Sequence, residues 1–341
     1  MSASYNRIGS VLEAQGNLAG ALEAFRKDLA ISERLAAQDP DNAGWQSDLG
    51  VHHDRIGGVF EAQGNLAGAL EVFRKALAIR ERLAAQGPDN AGWQRELSAS
   101  HNRIGSVLIA QGNLADALEA FRKAMSIAER LATQDPDNAG WQRELGVSHN
   151  RIGSVLETQG NLAGALEAFR KDLAISERLA AQDPDNAGWQ RELSVSHKGI
   201  GSVLETQGNL AGALEAFRKD LAISERLAAQ DPDNAGWQRD LGVSHANIAA
   251  AELLAFSRTD EAQTAYAQAR FVLQALRKPD DTGAEFDWAI VTALGAEIAL
   301  AEGDAKAAAL LQDELAGIEL DAEGLVEVER IFAIVSAQPE Y

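Results

Sequence analysis

The sequence predicts an all-α fold, an α-solenoid of stacked antiparallel helix hairpins, and three observations carry that expectation. Rare residues recur at one interval: Trp45, Trp93, Trp141, Trp189 and Trp237 are 48 residues apart, as are His53, His101, His149, His197 and His245 and the prolines 40, 88, 136, 184 and 232. Self-similarity at a fixed period of this length is the signature of a repeat architecture. Within each period the apolar residues return with helical spacing, and no segment shows sustained period-2 alternation. Glycine, proline and asparagine fall between those helical stretches, where caps and turns are needed.

The repeat is best read where it is most regular. Residues 149–196 and 197–244 differ at four positions, Asn150/Lys198, Arg151/Gly199, Glu192/Asp240 and Ser194/Gly242. Identity over surface and core alike reflects duplication as well as physical need. Asp-Pro-Asp-Asn at 183–186 supplies an N-cap with proline expected at the first helical position, and Trp189, Leu193, Ile200, Val203 and Leu204 form the apolar stripe of a first helix. Gly208 and Asn209 end it, glycine for a left-handed C-terminal residue and asparagine as cap of the next helix. The second helix, 210 to about 230, places Leu210, Ala213, Leu214, Phe217 and Leu221 on one stripe, with Ile223 and Leu227 off it and facing the next repeat. Asp231-Pro232 stops it, because the residue before proline avoids the helical region.

With those elements in place, the run Ile104-Gly105-x-x-Leu108-x-x-Gln111-Gly112-Asn113-Leu114-x-x-Ala117-Leu118-x-x-Phe121 resembles the tetratricopeptide repeat. The pattern returns from 8 to 25, 56 to 73, 152 to 169 and 200 to 217. The Gln-Gly-Asn turn and the tail at 78–83 are similar to the longer repeats of the kinesin-light-chain type. The resemblance implies a right-handed superhelix whose first helices line a concave surface, with small residues where helices approach and Phe73, Phe121, Phe169 and Phe217 as wedges. Departures are the 48-residue period instead of 34, His101 where the family often has an aromatic, and Trp93 two turns earlier.

The expected organisation is five near-identical repeats over 1–244, the first lacking the start of its first helix. Divergent repeats follow over 245–320, then a capping helix and tail over 321–341. Ser257 to Tyr266 aligns with Gly208 to Phe217 after a one-residue insertion, Phe286-Asp-Trp288 stands near the next tryptophan position, and Glu302-Gly303-Asp304 resembles Gln-Gly-Asn. Leu325, Val328, Ile331, Phe332 and Val335 give the terminal segment an amphipathic helical pattern, as an end repeat requires.

Charge and composition exclude several classes of work. The chain has 341 residues and a net charge of −20. Residues 241–341 hold 18 acidic and 6 basic residues, a net of −12, so the acidic excess is concentrated at the C-terminal end. An acidic chain is unsuited to tracking phosphates, so no nucleic acid is expected as partner, and an anionic membrane surface is disfavoured for the same reason. The absence of cysteine removes disulfides, thiolate metal sites and cysteine nucleophiles. With no apolar stretch near 18 residues and no basic-then-apolar start, the expected location is the cytoplasm. No P-loop, GxSxG, HExxH or dinucleotide fingerprint occurs, so neither catalysis nor a cofactor is expected.

The candidate site is a partner-binding face on the first helices, opposite the Trp93, Leu97, Ile104, Leu108 stripe. Its middle band is Asn6, Asp54, Asn102, Asn150 and Lys198, accompanied by Ser106, Ser154 and Ser202. A later band reads Glu13, Glu61, Ile109, Glu157, Glu205, and a third on the extended helix starts is Arg95, Arg143, Arg191 and Arg239. Asparagine and arginine at regular intervals can hydrogen-bond an extended peptide's backbone or carboxylates. Family members that clamp a terminal carboxylate combine Asn with Lys, whereas the neighbouring band here is Glu. The five periodic tryptophans are expected to pack between repeats. The histidines sit at the edge of the same stripe as structural residues, and His52-His53 is expected to have one exposed and one packed member; no metal site is expected. The resulting expectation is a non-catalytic scaffold for a protein or peptide ligand. The competing readings are a spacer or self-assembling array that associates through its N-terminal end, and a sensor component of a larger signalling system.

Overall fold

A computed structural model describes residues 2–256, 259–277 and 282–318, together with Val328. Those residues form fourteen α-helices and no strand. The chain divides into two compact units, Met1–Asn161 and Leu162–Tyr341.

In the first unit α1 (Ser2–Ala14) pairs with α2 (Leu18–Gln38), α3 (Ala43–Ala62) with α4 (Leu66–Gln86), and α5 (Ala91–Ala110) with α6 (Leu114–Gln134); α7 (Ala139–Thr158) then packs on α6. In the second, α8 (Leu162–Gln182) packs on α9 (Ala187–Thr206), which pairs with α10 (Leu210–Gln230). It continues with α11 (Ala235–Phe256), α12 (Thr259–Leu276), α13 (Thr282–Ala301) and α14 (Ala305–Ala316). Within each unit every helix packs on its sequence neighbours, the one-dimensional arrangement of a solenoid. The proposed capping helix lies outside the described residues, apart from Val328, which is buried with Ala289 and Ala293.

The glycine turns form as the sequence predicts. Gly16, Gly64, Gly112, Gly160, Gly208 and Gly303 have φ between 71° and 78°, the left-handed region that glycine enters without a Cβ penalty. Asn113 N–H reaches back to the Leu108 carbonyl at 2.8 Å, closing a Schellman motif. The same asparagine caps α6 by accepting the Asp116 N–H. Gly303-Asp304 repeats this geometry in the divergent region, where Asp304 accepts the Ala307 N–H at 2.9 Å.

At the other turn the structure corrects the expected helix start. Proline is not the first helical residue. Asp183 and Asn186 close a turn by a 3.2 Å backbone hydrogen bond, with Pro184 at its second position, where its fixed φ is favoured. Asn186 is the N-cap and accepts the Trp189 N–H at 3.1 Å. Asn42, Asn90, Asn138 and Asn234 do the same for the other first helices.

The central packing element is a glycine against a phenylalanine. Phe25, Phe73, Phe121, Phe169 and Phe217 are each no more than 2% exposed. A Cβ built on Gly105 would lie 2.5 Å from the Phe121 ring, and Gly9, Gly57 and Gly201 stand in the same relation to Phe25, Phe73 and Phe217. The missing side chain lets the ring lie directly on the first helix, so the two helices of a hairpin approach closely. Burying such a ring contributes about 1.5–3 kcal/mol.

Candidate partner-binding face

The first helices bury part of the apolar stripe, Ile104 and Leu108 in α5 and Ile200 and Val203 in α9, and extend that buried side over small and polar residues. In α9 the most hidden residues include Gln190, Ser194, Ser196, His197, Ile200, Gly201 and Val203, whereas Trp189, Leu193 and Leu204 are half-buried. The five periodic tryptophans are all partly exposed, unlike Trp288, which is 2% exposed. Trp93 lies against Gly87 at the end of α4 and so covers the turn between hairpins instead of filling a central core. The glutamine that follows the tryptophan is buried at 46, 94, 142 and 190 and half-buried at 238. Gln94 donates to the Ala84 carbonyl at 3.1 Å and accepts from Arg130; Gln142 and Gln238 likewise hold the carbonyls of Ala132 and Ala228. These carbonyls belong to the last turns of second helices, where intrahelical donors run out.

The histidine doublet also differs from expectation: both members are buried, His52 at 6% and His53 at 8% exposed. His53, like His101, His197 and His245, sits where desolvation depresses its pKa, pushed down to about 4 for His101. His52 is hidden by a different route, with its Nδ1 2.8 Å from the Ser32 hydroxyl and its Nε2 3.0 Å from Asp28. Ser, His and Asp together are the components of a nucleophilic triad, but here they are 4%, 6% and 0% exposed. No substrate reaches a hydroxyl so enclosed, and the cluster is structural. Among the described residues no group of three His, Cys, Asp or Glu is placed to hold a metal ion, and no helix is long and apolar enough to cross a membrane.

The arginine band has partners of its own. Arg95 bonds Glu144 at 2.5 Å and Arg191 bonds Asp240 at 2.6 Å; Arg239 joins Asp287 and the Gly283 carbonyl. Each acid lies on the next first helix, so these arginines form a ladder between neighbouring repeats. The arginine side chains are roughly half exposed or more, and such pairs contribute about 0.2–1 kcal/mol each. Arg143 occupies the same exposed position.

The middle band is more varied. Asp54 is taken up by Arg80 at 2.5 Å and by Arg103 of the next first helix. Asn6, Asn102, Asn150 and Lys198 are half-buried, while Ser106 and Ser154 are exposed and turn their hydroxyls to the carbonyls of Asn102 and Asn150. Ser202, Glu157 and Glu205 are half-buried. Like one carboxylate oxygen of Asp54, whose other oxygen is held by arginines, Asn102 Oδ1 is shielded from solvent and accepts no hydrogen bond. Seven residues on, and so on the same side of α5, Ile109 is 37% exposed where the other repeats carry glutamate. Nearby, burial raises the carboxyl pKa of Glu61.

A stack of capped helix hairpins joined by glycine–phenylalanine wedges, with a polar face on its first helices, defines a helical-repeat protein. The family model described as tetratricopeptide repeat matches residues 2–41, 54–88, 98–137 and 141–185, and the chain belongs to that family. The family is in general a non-catalytic protein-interaction fold. No curated protein sequence matches the chain significantly. Among solved structures, the apo form of RapI is 16% identical with a TM-score of 0.59, covering 97% of this chain and 98% of that one. BtubC (BKLC) from P. vanneervenii is also 16% identical, with a TM-score of 0.56 over 81% of this chain and 94% of its own. A putative kinesin light chain from Podosopora anserina with nearly identical TPR-like repeats is 18% identical, covering 68% of this chain and 98% of that one at a TM-score of 0.47. At 16% identity the likeness to RapI and BtubC is one of fold.

Proposed function

We propose that the chain is a non-catalytic scaffold that binds an extended protein or peptide segment along the polar face of its first helices, centred on Asn102, Ser106 and Ile109. Asn102 carries this reading. Its Oδ1 has no donor within the chain, which costs about 1–3 kcal/mol, and because the residue is only half-buried, turning the side-chain amide over would present that oxygen to a ligand N–H. Ile109 offers an apolar contact beside it, and Asn150 extends the polar band onto α7. The paired arginines 95, 191 and 239 hold repeats together and are not the main ligand contacts. Affinity capture with the whole chain, repeated with an Asn102→Ala/Asn150→Ala variant of unchanged helicity, tests the proposal. Partners lost by the variant support it, and a set retained in full refutes it.

A second reading has an observation of its own. Ile8 and Val11 on α1 are 50% and 56% exposed, whereas Ile56 and Val59, at the same repeat positions of α3, are 4% and 0% exposed beneath α2. That apolar edge supports end-to-end association through α1. Sedimentation over a range of concentrations should then show mass growth that Val11→Glu abolishes, whereas a constant monomer mass excludes it.

A further inference from the structure

Near-identical repeats share their surfaces, so the chain needs a means of choosing which hairpin stacks on which. Helices α2, α8 and α10 are identical in sequence, while the departures of α4 and α6 from them include two buried positions that face the following first helix. Asp28 and Ser32 of α2 correspond to Ala76 and Arg80 of α4 and to Ala124 and Ala128 of α6. All six are buried. On the receiving first helix the matching residue is His52 of α3 but serine at 100, 148, 196 and 244.

Each junction therefore has its own chemistry. Between α2 and α3, Asp28 and Ser32 engage the two ring nitrogens of His52. Between α4 and α5, the Arg80 guanidinium donates to the Ser100 hydroxyl at 2.6 Å and to Asp54 at 2.5 Å. Between α6 and α7 the facing residues are alanines, and Ser148 turns to the Glu144 carbonyl of its own helix at 2.8 Å. In the second unit Ser196 meets Asp172 at 2.7 Å and Ser244 meets Asp220 at 2.9 Å.

We infer that the buried sets Asp28–Ser32–His52 and Arg80–Ser100 are mutually exclusive locks that select which second helix may stack on which first helix within Met1–Asn161. A helix of the α6 type laid on α3 would leave both nitrogens of His52 buried without partners, at a cost of the full desolvation of each group. A helix of the α4 type would set the Arg80 guanidinium against an imidazole with no carboxylate between them. Serine makes no such demand, because it can turn back to its own helix as Ser148 does. Mispairing and swapping are the characteristic failures of repeat chains, and fixing register is the best-attested use of buried polar groups.

Thermal unfolding of full-length variants tests the inference. Ser100→His, which opposes an imidazole to Arg80, should lower the Tm by several degrees. Adding Ala76→Asp and Arg80→Ser rebuilds the α2–α3 set at α4–α5 and should restore most of the loss. Asp28→Ala/Ser32→Ala should cost clearly more than Asp172→Ala/Ser176→Ala, since Ser196 can fall back on the Glu192 carbonyl, 2.9 Å away, and His52 has no such alternative. A Ser100→His chain with the Tm of the parent, a triple variant no better than Ser100→His, or equal losses for the two double-alanine variants would each overturn the locks.

Discussion

Phe121→Ala is expected to destabilise the chain by about 3–5 kcal/mol, and Gly105→Ala, at the other side of the same contact, to destabilise it as well. The second result is the more diagnostic, because alanine in place of a helical glycine ordinarily gains about 1 kcal/mol. Here the new methyl would lie 2.5 Å from the Phe121 ring, which is itself 1% exposed and has nowhere to retreat. Overpacking of this kind costs about 1–3 kcal/mol, more than the helix propensity returns. Because stability in a repeat array is roughly a sum of local terms, amide exchange should quicken in α5 and α6 first. Urea unfolding and exchange measured together check both statements. A Gly105→Ala chain more stable than the parent would show that the helices do not meet through that glycine.

Acidification is the second large effect, and its direction follows from the buried histidines. His53, His101, His197 and His245 all have pKa values depressed by desolvation in the folded chain. Above the ordinary value of 6.5 they are neutral in both states and cost nothing. As pH falls below 6.5 the unfolded chain takes up protons that the folded chain refuses, so stability drops. For His101 the loss continues down to about 4, where the folded state also protonates, and amounts to up to about 3 kcal/mol. Asp220 acts in the opposite sense, since burial raises its pKa and the folded chain takes up its proton before the unfolded one. Glu61 and Glu297, also raised by burial, act likewise, so three such carboxyls oppose four histidines, and with His101 pushed down to about 4 the balance is a net decline. The Tm should therefore fall between pH 6.5 and 4.5, and His101→Gln should flatten that slope. A Tm rising through this window would contradict the burial of the imidazoles.

The repeat, its helices and their caps are legible in the sequence because they rest on glycine, asparagine and apolar spacing. Gly208-Asn209 and the second helix Leu210–Gln230 fall where the pattern sets them. The buried side of the first helices is only partly legible: Ile200, Val203 and the stripe-edge His197 lie where the pattern sets them, whereas Gln190, Ser194 and Ser196 are polar residues that hydrophobic periodicity does not mark as interior. Small and polar side chains occupy that side because the helices approach closely there, and several bond across the junction, as Gln94 does to the Ala84 carbonyl and Ser196 to Asp172. Asp28, Arg80 and Asp220 lie inside for the same reason, and only the replacement of these positions by alanine in other repeats hints at their placement. The regular spacing of tryptophan marks the repeat, while its depth is not legible: the five rings are only partly buried, and Trp93 lies over the turn between hairpins. The arginine band has the look of a ligand clamp in sequence, while Glu144, Asp240 and Asp287 on the following helices give it a structural role.

The central claim is that binding uses the first-helix face around Asn102. Its most direct test is the affinity of a captured partner for three chains: the parent, Asn102→Ala/Asn150→Ala, and a control altered on the second helices at the exposed pairs Lys75–Glu71 and Lys123–Glu119. The account predicts at least about tenfold weaker binding for the first-helix variant, equivalent to roughly 1.4 kcal/mol, and an unchanged affinity for the control. Full affinity in the first-helix variant together with a loss in the control would contradict it.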